Sequence, residues 1–332
     1  MIHRALFATL LGISLCTVSV AQAATKLVIG TVPNIGDGPI ICAIEKGYFR
    51  EQDIDVELVS FRTASDMTPM VVRGDIPIMG GGVSVSYFNG VAQGMPLRYF
   101  LSRAQARVHH KIILRKGLNA KVKSIADLKG LKIATTAAGG FSEYELGKAL
   151  ETAGLSLDDV DTKPLAMPQT LAAMVNGAVD AAVLLPPFDT GALRDGATTL
   201  VTLDDIVKPT MEVSGLIYNT DWAAKNRDLL ERFTMAYIKG GRYFLEGARH
   251  GANRDEIIDY FLKYAPVKTR AIFAETDWSE VNPDGKINTA SLLDQEEFYI
   301  KRGYLKTKSP MEKLADEDTV ARALKRLENG GR

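Results

Sequence analysis

Two glycine-rich stretches carry the residues best suited to gripping a ligand. Gly80-Gly-Gly-Val-Ser84 and Ala137-Ala-Gly-Gly-Phe-Ser-Glu-Tyr144 each set small residues and a serine at the start of a helical pattern. Backbone N–H groups exposed there, with a hydroxyl beside them, hold an oxyanion without any formal positive charge. Gly81, Gly82, Ser84, Gly139, Gly140 and Ser142 are therefore candidate ligand residues, and Phe141 could stack on a flat ligand or simply pack. Each stretch also has a plain structural reading. The triple glycine could be a flexible turn, and Ser142 could be an N-cap with Glu145 completing a capping box.

Three further segments bear on binding. The loop Pro33-Asn-Ile-Gly-Asp-Gly-Pro39 offers Asn34, whose amide donates and accepts, beside Ile35 and Gly36. In Leu185-Pro-Pro-Phe-Asp189 the proline pair fixes the direction of Phe188, a cover for an apolar ligand, and of Asp189, an acceptor or a helix cap. Ser214 follows in a later apolar run. Arg103, Arg107, His109 and His110 cluster mid-chain; an arginine suits a carboxylate, but the same segment could be a solvated loop. The two histidines have no neighbouring cysteine or third histidine at ligand spacing, so no metal and no cofactor is expected. No Ser–His–Asp order, paired-carboxylate motif or phosphate loop stands out, and catalysis is not expected.

The elements that would position these residues alternate. An apolar strand (Leu27–Val32) precedes a short amphipathic helix stopped at Gly47 and a strand from Ile54 to Phe61. That order implies a parallel pair with a crossover helix, whose ligands collect at the carboxyl end of the strand, here the loop 33–39. Further patterns are a helix over 65–73, a strand over 76–79 running into the glycines, a helix over 84–93 and a strand over 97–102. After His110 the plan repeats, with strands over 111–115, 131–135, 160–165 and 178–185 and helices over 142–154 and 168–176. A strand near 214–219 and helices over 227–247, 254–264, 292–302 and 311–327 complete the chain.

Residues 1–23 read as an export signal. His3 and Arg4 open it, Ala5 to Val20 is apolar, and Ala21-Gln-Ala23 fits the small-x-small cleavage rule. Its apolar core is shorter than the roughly 20 residues of a membrane span. The remaining 309 of the 332 residues are enough for two lobes. With 40 basic and 40 acidic residues and no run of like charges beyond what a solvated surface carries, a nucleic-acid partner is disfavoured. Once Cys16 leaves with the signal, Cys42 is the only thiol and no internal disulfide is possible; it reads as a buried, inert side chain.

Four motifs, in order, resemble one family. They are Ala43-Ile-Glu-Lys-Gly-Tyr-Phe-Arg-Glu-Gln-Asp-Ile-Asp-Val-Glu-Leu58, Val72-Arg-Gly-Asp-Ile76, Ile125-Ala-Asp-Leu-Lys-Gly-Leu-Lys-Ile-Ala134 and Met174-Val-Asn-Gly-Ala-Val-Asp-Ala181. The chain resembles the periplasmic substrate-binding proteins of ABC importers, in the group that takes up nitrate, sulfonates, taurine and the pyrimidine precursor of thiamine. The resemblance implies an α/β clamshell of type II, two doubly wound lobes joined by a two-strand hinge that closes on the ligand. On that reading residues 24–112 and 216–332 form lobe 1, and 113–215 form lobe 2. In relatives the loop holding Ser142 helps hold a sulfonate or related anion. The expected ligand is thus a small organic anion, with a pyrimidine or aromatic solute as the alternative. The expected partner is an inner-membrane ABC permease and the expected state a monomer. A sensor domain feeding a membrane receptor is a further reading. A eukaryotic branch of the same fold makes a pyrimidine from histidine and a pyridoxal cofactor; its cysteine-rich segment is not seen here.

Overall fold

The computed structural model describes residues 23–105, 107–207 and 211–330. The expected signal lies outside the described residues, Ala23 excepted. Ten strands make two five-stranded sheets. The first holds β1 (Thr25–Thr31), β2 (Ile54–Ser60), β3 (Ile78–Gly82), β4 (Leu97–Gln105) and β10 (Glu212–Asn219), in the order β2-β1-β3-β10-β4. The second holds β5 (Lys111–Leu114), β6 (Lys132–Thr135), β7 (Asp161–Pro164), β8 (Ala181–Leu184) and β9 (Thr198–Thr202), in the order β7-β6-β8-β5-β9. Each sheet has three parallel strands, then an antiparallel one in fourth place. That fourth strand is in each case the one that arrives after crossing from the other sheet. This is the α/β, twice-repeated plan expected from the sequence.

The crossings differ from the expected boundaries. All of Lys111–Leu114 pairs in the second sheet, and Glu212–Gly215 pairs in the first with β3 and β4. The chain therefore leaves the first sheet between Gln105 and Lys111 and returns between Thr202 and Glu212. β10 starts two residues before the expected strand at 214, because the charged Glu212 at its head hides the start of the apolar run. β9 went unread for the same reason: its residues are half-buried and threonine-rich.

Among the described residues thirteen helices cover the sheets: α1 (Gly38–Glu45), α2 (Ala64–Arg73), α3 (Val85–Ala92), α4 (Phe141–Glu151), α5 (Met167–Val175), α6 (Phe188–Arg194), α7 (Thr220–Lys225), α8 (Arg227–Ala248), α9 (Arg254–Tyr264), α10 (Arg270–Glu275), α11 (Thr289–Lys301), α12 (Met311–Leu314) and α13 (Asp318–Glu328). α1, α8 and α9 bury one face of the first sheet through Ile41, Phe233, Phe244 and Phe261, which are nearly or wholly inaccessible. A second core runs without a break from Met67 and Phe88 beneath the first sheet to Ile112 and Ile133 of the second and Tyr144 of α4, then to Phe298 and Tyr299 of α11.

Local chemistry corrects several expected caps. α2 starts one residue earlier than expected, because Thr63 Oγ1 accepts the first-turn amide of Asp66 at 3.3 Å. The expected helix 311–327 is split. Asp316 donates its N–H to the Tyr99 carbonyl on the outer edge of β4 at 2.8 Å, and its carboxylate accepts from Thr319 N at 3.1 Å to start α13. Cys42 is buried in α1, and burial raises its thiol well above the ordinary value. Among the described residues no helix is long and apolar enough to cross a membrane.

Candidate functional site

The carboxyl ends of the parallel strands of both sheets face one cavity of about 550 Å³. From the first sheet it takes Val32, Pro33, Asn34 and Gly36 after β1, residues 60–65 between β2 and α2, Gly82 and Ser84 around the end of β3, and Arg103, Ala104, Val213 and Ser214 on β4 and β10. From the second it takes Thr136 and Ala137 after β6, Phe141, Ser142 and Glu145 on α4, residues 166–169 at the head of α5, and Leu185, Pro186 and Phe188 before and in α6. His110, Pro266 and Ser279 complete it. The lining is predominantly apolar, with Phe61, Phe141, Met167 and Phe188 the largest apolar side chains.

Two buried pairs carry its charge. Arg103, 1 % exposed, donates to Asp37 Oδ1 from Nε at 3.1 Å and from Nη2 at 2.5 Å; Nη2 also reaches the Val32 carbonyl at 3.0 Å. Among the described residues Arg103 Nη1 has no hydrogen-bond partner. Opposite, His110 Nδ1 lies 2.9 Å from both oxygens of Glu145, with the edge of Phe141 packed against the imidazole. Burial works against charge on His110, but the Glu145 carboxylate outweighs it and holds the imidazole above its ordinary value. Burial pushes the Glu145 carboxyl up, against the pull of His110. Each pair is neutral as a unit. Removing either partner would leave an uncompensated buried group, which is why both charges persist in so apolar a cavity.

The neutral polar groups are arranged by the backbone. Ser142 Oγ accepts from Thr136 N at 2.8 Å and bonds Thr136 Oγ1 at 2.7 Å, stitching the head of α4 to the end of β6. The N-cap of α4 is Gly140, so Ser142 sits in the first turn and no capping box with Glu145 forms. Ser84 is the N-cap of α3 without a side-chain cap bond, and its hydroxyl borders the cavity. Asn34 Oδ1 accepts from Gly36 N at 2.7 Å and Nδ2 donates to the Val32 carbonyl at 3.0 Å, so its amide shapes the loop that lines the site.

Of the residues singled out in the sequence, Asn34, Gly36, Gly82, Ser84, Gly140, Phe141, Ser142, Phe188 and Ser214 line the cavity. Four do not. Ile35 is a core side chain packed with α1. Gly81 is a strand residue paired with Gly215; a Cβ there would lie 2.9 Å from the Ala64 Cβ, so the glycine permits close packing rather than presenting an amide. Gly139 has φ of 64° and gives its carbonyl to Val85 N at 2.9 Å and its N–H to Glu143 Oε2 at 2.6 Å. Asp189 is fully buried and salt-bridged to Lys111 at 2.5 Å, away from the cavity. Of the mid-chain basic cluster, Arg103 and His110 line the site, whereas the His109 ring lies 3.5 Å from Asp204. Sequence reasoning missed Phe61, Met167 and Glu145. Glu145 lies one helical turn after Phe141, a spacing that would have flagged it. Among the described residues no three His, Cys, Asp or Glu side chains gather as a metal site.

The NMT1/THI5-like family matches residues 34–248, from the first cavity loop to the end of α8. The chain belongs to this family. A riboflavin-binding protein, RibY, of Chloroflexus aurantiacus is 24 % identical over 72 % of this chain and 66 % of its own length. A putative thiamine biosynthesis protein of Haemophilus influenzae is 26 % identical over 47 % of this chain, so the chain spans about half of it, 48 %. In structure the chain is similar to the periplasmic aliphatic sulphonate binding protein SsuA of Escherichia coli, with a TM-score of 0.68 and 20 % identity over 88 % of this chain and 92 % of that one. It is similar too to the periplasmic nitrate-binding protein NrtA of Synechocystis PCC 6803, with a TM-score of 0.73 and 16 % identity over 92 % and 89 %. The desulfurization enzyme DszB has the same fold, with a TM-score of 0.67 and 14 % identity over 91 % and 99 %. The fold is thus that of ABC periplasmic binding proteins, and it also supports an enzyme.

Proposed function

We propose that this chain is the periplasmic solute-binding component of an ABC importer, working as a monomer that captures a small organic molecule between its lobes and delivers it to an inner-membrane permease. The observation that carries this reading is the cavity itself. Loops from both sheets build it, its walls are apolar and aromatic, and its two strongest charges are each cancelled by a partner. Such a site suits a planar, uncharged heterocycle: Phe141 and Phe188 can cover the ring faces, while Arg103 Nη1, His110, Ser84 and Ser142 can bond the ring edge. At about 550 Å³ the space greatly exceeds nitrate or taurine, since a water molecule's share of liquid volume is about 30 Å³. The flavin-binding relative supports the same class.

An organic anion is the second reading. Arg62 stands at the rim, and the first-turn amides of α4 at Phe141 and Ser142 lack intrahelical acceptors and adjoin the cavity. An arylsulfonate or aromatic acid would satisfy this set together with the rings. A cysteine nucleophile does not fit this site, because Cys42 is buried in the α1 core and does not line the cavity.

Native mass spectrometry of residues 24–332, purified without denaturation, tests the reading. A bound heterocycle released on unfolding is the expected result. A bound inorganic anion, or a chemically altered product accumulating from an added compound, would overturn it.

A further inference from the structure

A smaller cavity of about 170 Å³ adjoins the main one. Pro33, Asn34 and Ser60 line both, so the loop after β1 and the end of β2 form the partition. The end of α9 runs along the same border: Lys263, Tyr264 and Ala265 line the small cavity, and the next residue, Pro266, lines the large one. The space equals about five or six water volumes, enough for a short chain of heavy atoms but not for a fused multi-ring system.

The Arg103–Asp37 pair straddles this partition. Arg103 lines the large cavity and Asp37 the small one. Asp37 is 3 % exposed, and its two oxygens are engaged very unequally. Oδ1 accepts from Thr31 Oγ1 at 2.5 Å and from both Arg103 nitrogens. Oδ2 has one long contact, with Asn34 N at 3.4 Å. A buried carboxylate oxygen so lightly used has acceptor capacity left for a donor arriving in the small cavity. The donor's charge is constrained. A carboxylate or phosphate would meet Asp37 itself, and an ammonium would be opposed by Arg103 behind it; Lys263 is already paired with Glu45, which also accepts from Tyr264 Oη at 2.8 Å. Neutral hydroxyl groups meet neither objection.

We infer that the small cavity is a subsite for the hydroxylated side chain of a ligand whose ring lies in the large cavity, with Asp37 Oδ2 accepting from a chain hydroxyl. The inference rests on the ring-binding reading above, and it adds that affinity depends on what the ring carries. Riboflavin and lumiflavin test it as probes, because they share a ring and differ in that a methyl group replaces the ribityl chain. Titration calorimetry of residues 24–332 should show riboflavin binding at least about tenfold more tightly, the worth of two modest hydrogen bonds. Leu58, half-buried on β2, lines only the small cavity. Leu58→Phe should bring riboflavin down to the affinity of lumiflavin and leave lumiflavin unchanged; Ala265→Val is a second, milder block should the first melt early. Equal affinity of the two probes for the wild type, or equal weakening of both by Leu58→Phe, would refute the subsite while leaving ring binding intact. Binding of neither flavin would overturn the subsite as a site for a flavin's side chain, and the ring reading would then stand or fall on the other heterocycles.

Discussion

Arg103 and Asp37 hold opposite charges where water is all but absent, so each depends on the other. Asp37→Ala strands a guanidinium and should cost about 3–5 kcal/mol in denaturant unfolding. Asp37→Leu with Arg103→Met removes both charges and should recover much of that loss while abolishing binding. A double variant no more stable than the single one would mean that the charge pair is not the source of the cost. Glu212 gives a second residue-scale test. It is fully buried at the head of β10, accepting from Tyr99 Oη at 2.9 Å, Gln105 Nε2 at 3.0 Å and Asn288 N at 2.8 Å. Burial pushes its carboxyl up to about 7 against those hydrogen bonds. The folded state therefore holds a proton that the unfolded chain releases near pH 4.5, so its contribution to stability is full below that pH and lost as pH rises to about 7. The loss is about 3 kcal/mol. In melting curves between pH 4.5 and 8, Glu212→Gln should flatten this part of the decline; an unchanged slope would show that Glu212 does not titrate in that window.

At the scale of elements, glycines decide how closely the layers approach. α8 crosses α1 at Gly240, where a Cβ would lie 2.2 Å from the Pro39 carbonyl oxygen and 2.7 Å from the Ala43 Cβ. Since α1 follows directly on the loop carrying Asn34 and Gly36, Gly240→Ala should disturb the site as well as the core. The expected cost is about 1–3 kcal/mol or more, together with weakened ligand affinity; a fully stable variant with unchanged binding would show that the two helices part freely. The same theme explains what was legible in the sequence. Parallel βα units announce themselves by apolar runs and glycine stops, and the loops after β1, β6 and β8 were located from them. The triple glycine misled, because glycine serves close packing in β3 as readily as an open loop, and only the pairing with β10 separates the two. Asp189 misled for a related reason. Its partner Lys111 lies 78 residues away in sequence, and no local pattern encodes that meeting. Glu145 was hidden by a competing local rule, the capping box, which lost to a tertiary contact with His110.

Across the whole molecule the C-terminal third ties the two sheets together. Arg302, the residue that ends α11, clamps Asp158 with two bonds at 3.0 and 2.9 Å, Phe298 packs edge-on against Tyr144 of α4, and Arg194 of α6 pairs with Glu275 of α10. The cavity is lined from both sheets, so a ligand that fills it touches both and favours the arrangement that brings them together. A ligand present at 100 times its Kd adds about 2.7 kcal/mol to the stability of the state that binds it, a rise of about 5 °C for a chain of this size. The most direct test is thus the melting temperature of residues 24–332 against flavins, aminopyrimidines, aromatic acids, arylsulfonates, taurine and nitrate. The cavity predicts a rise with one or more of the ring compounds and none with taurine or nitrate. A rise confined to taurine or nitrate would contradict an interlobe site built for a planar organic solute.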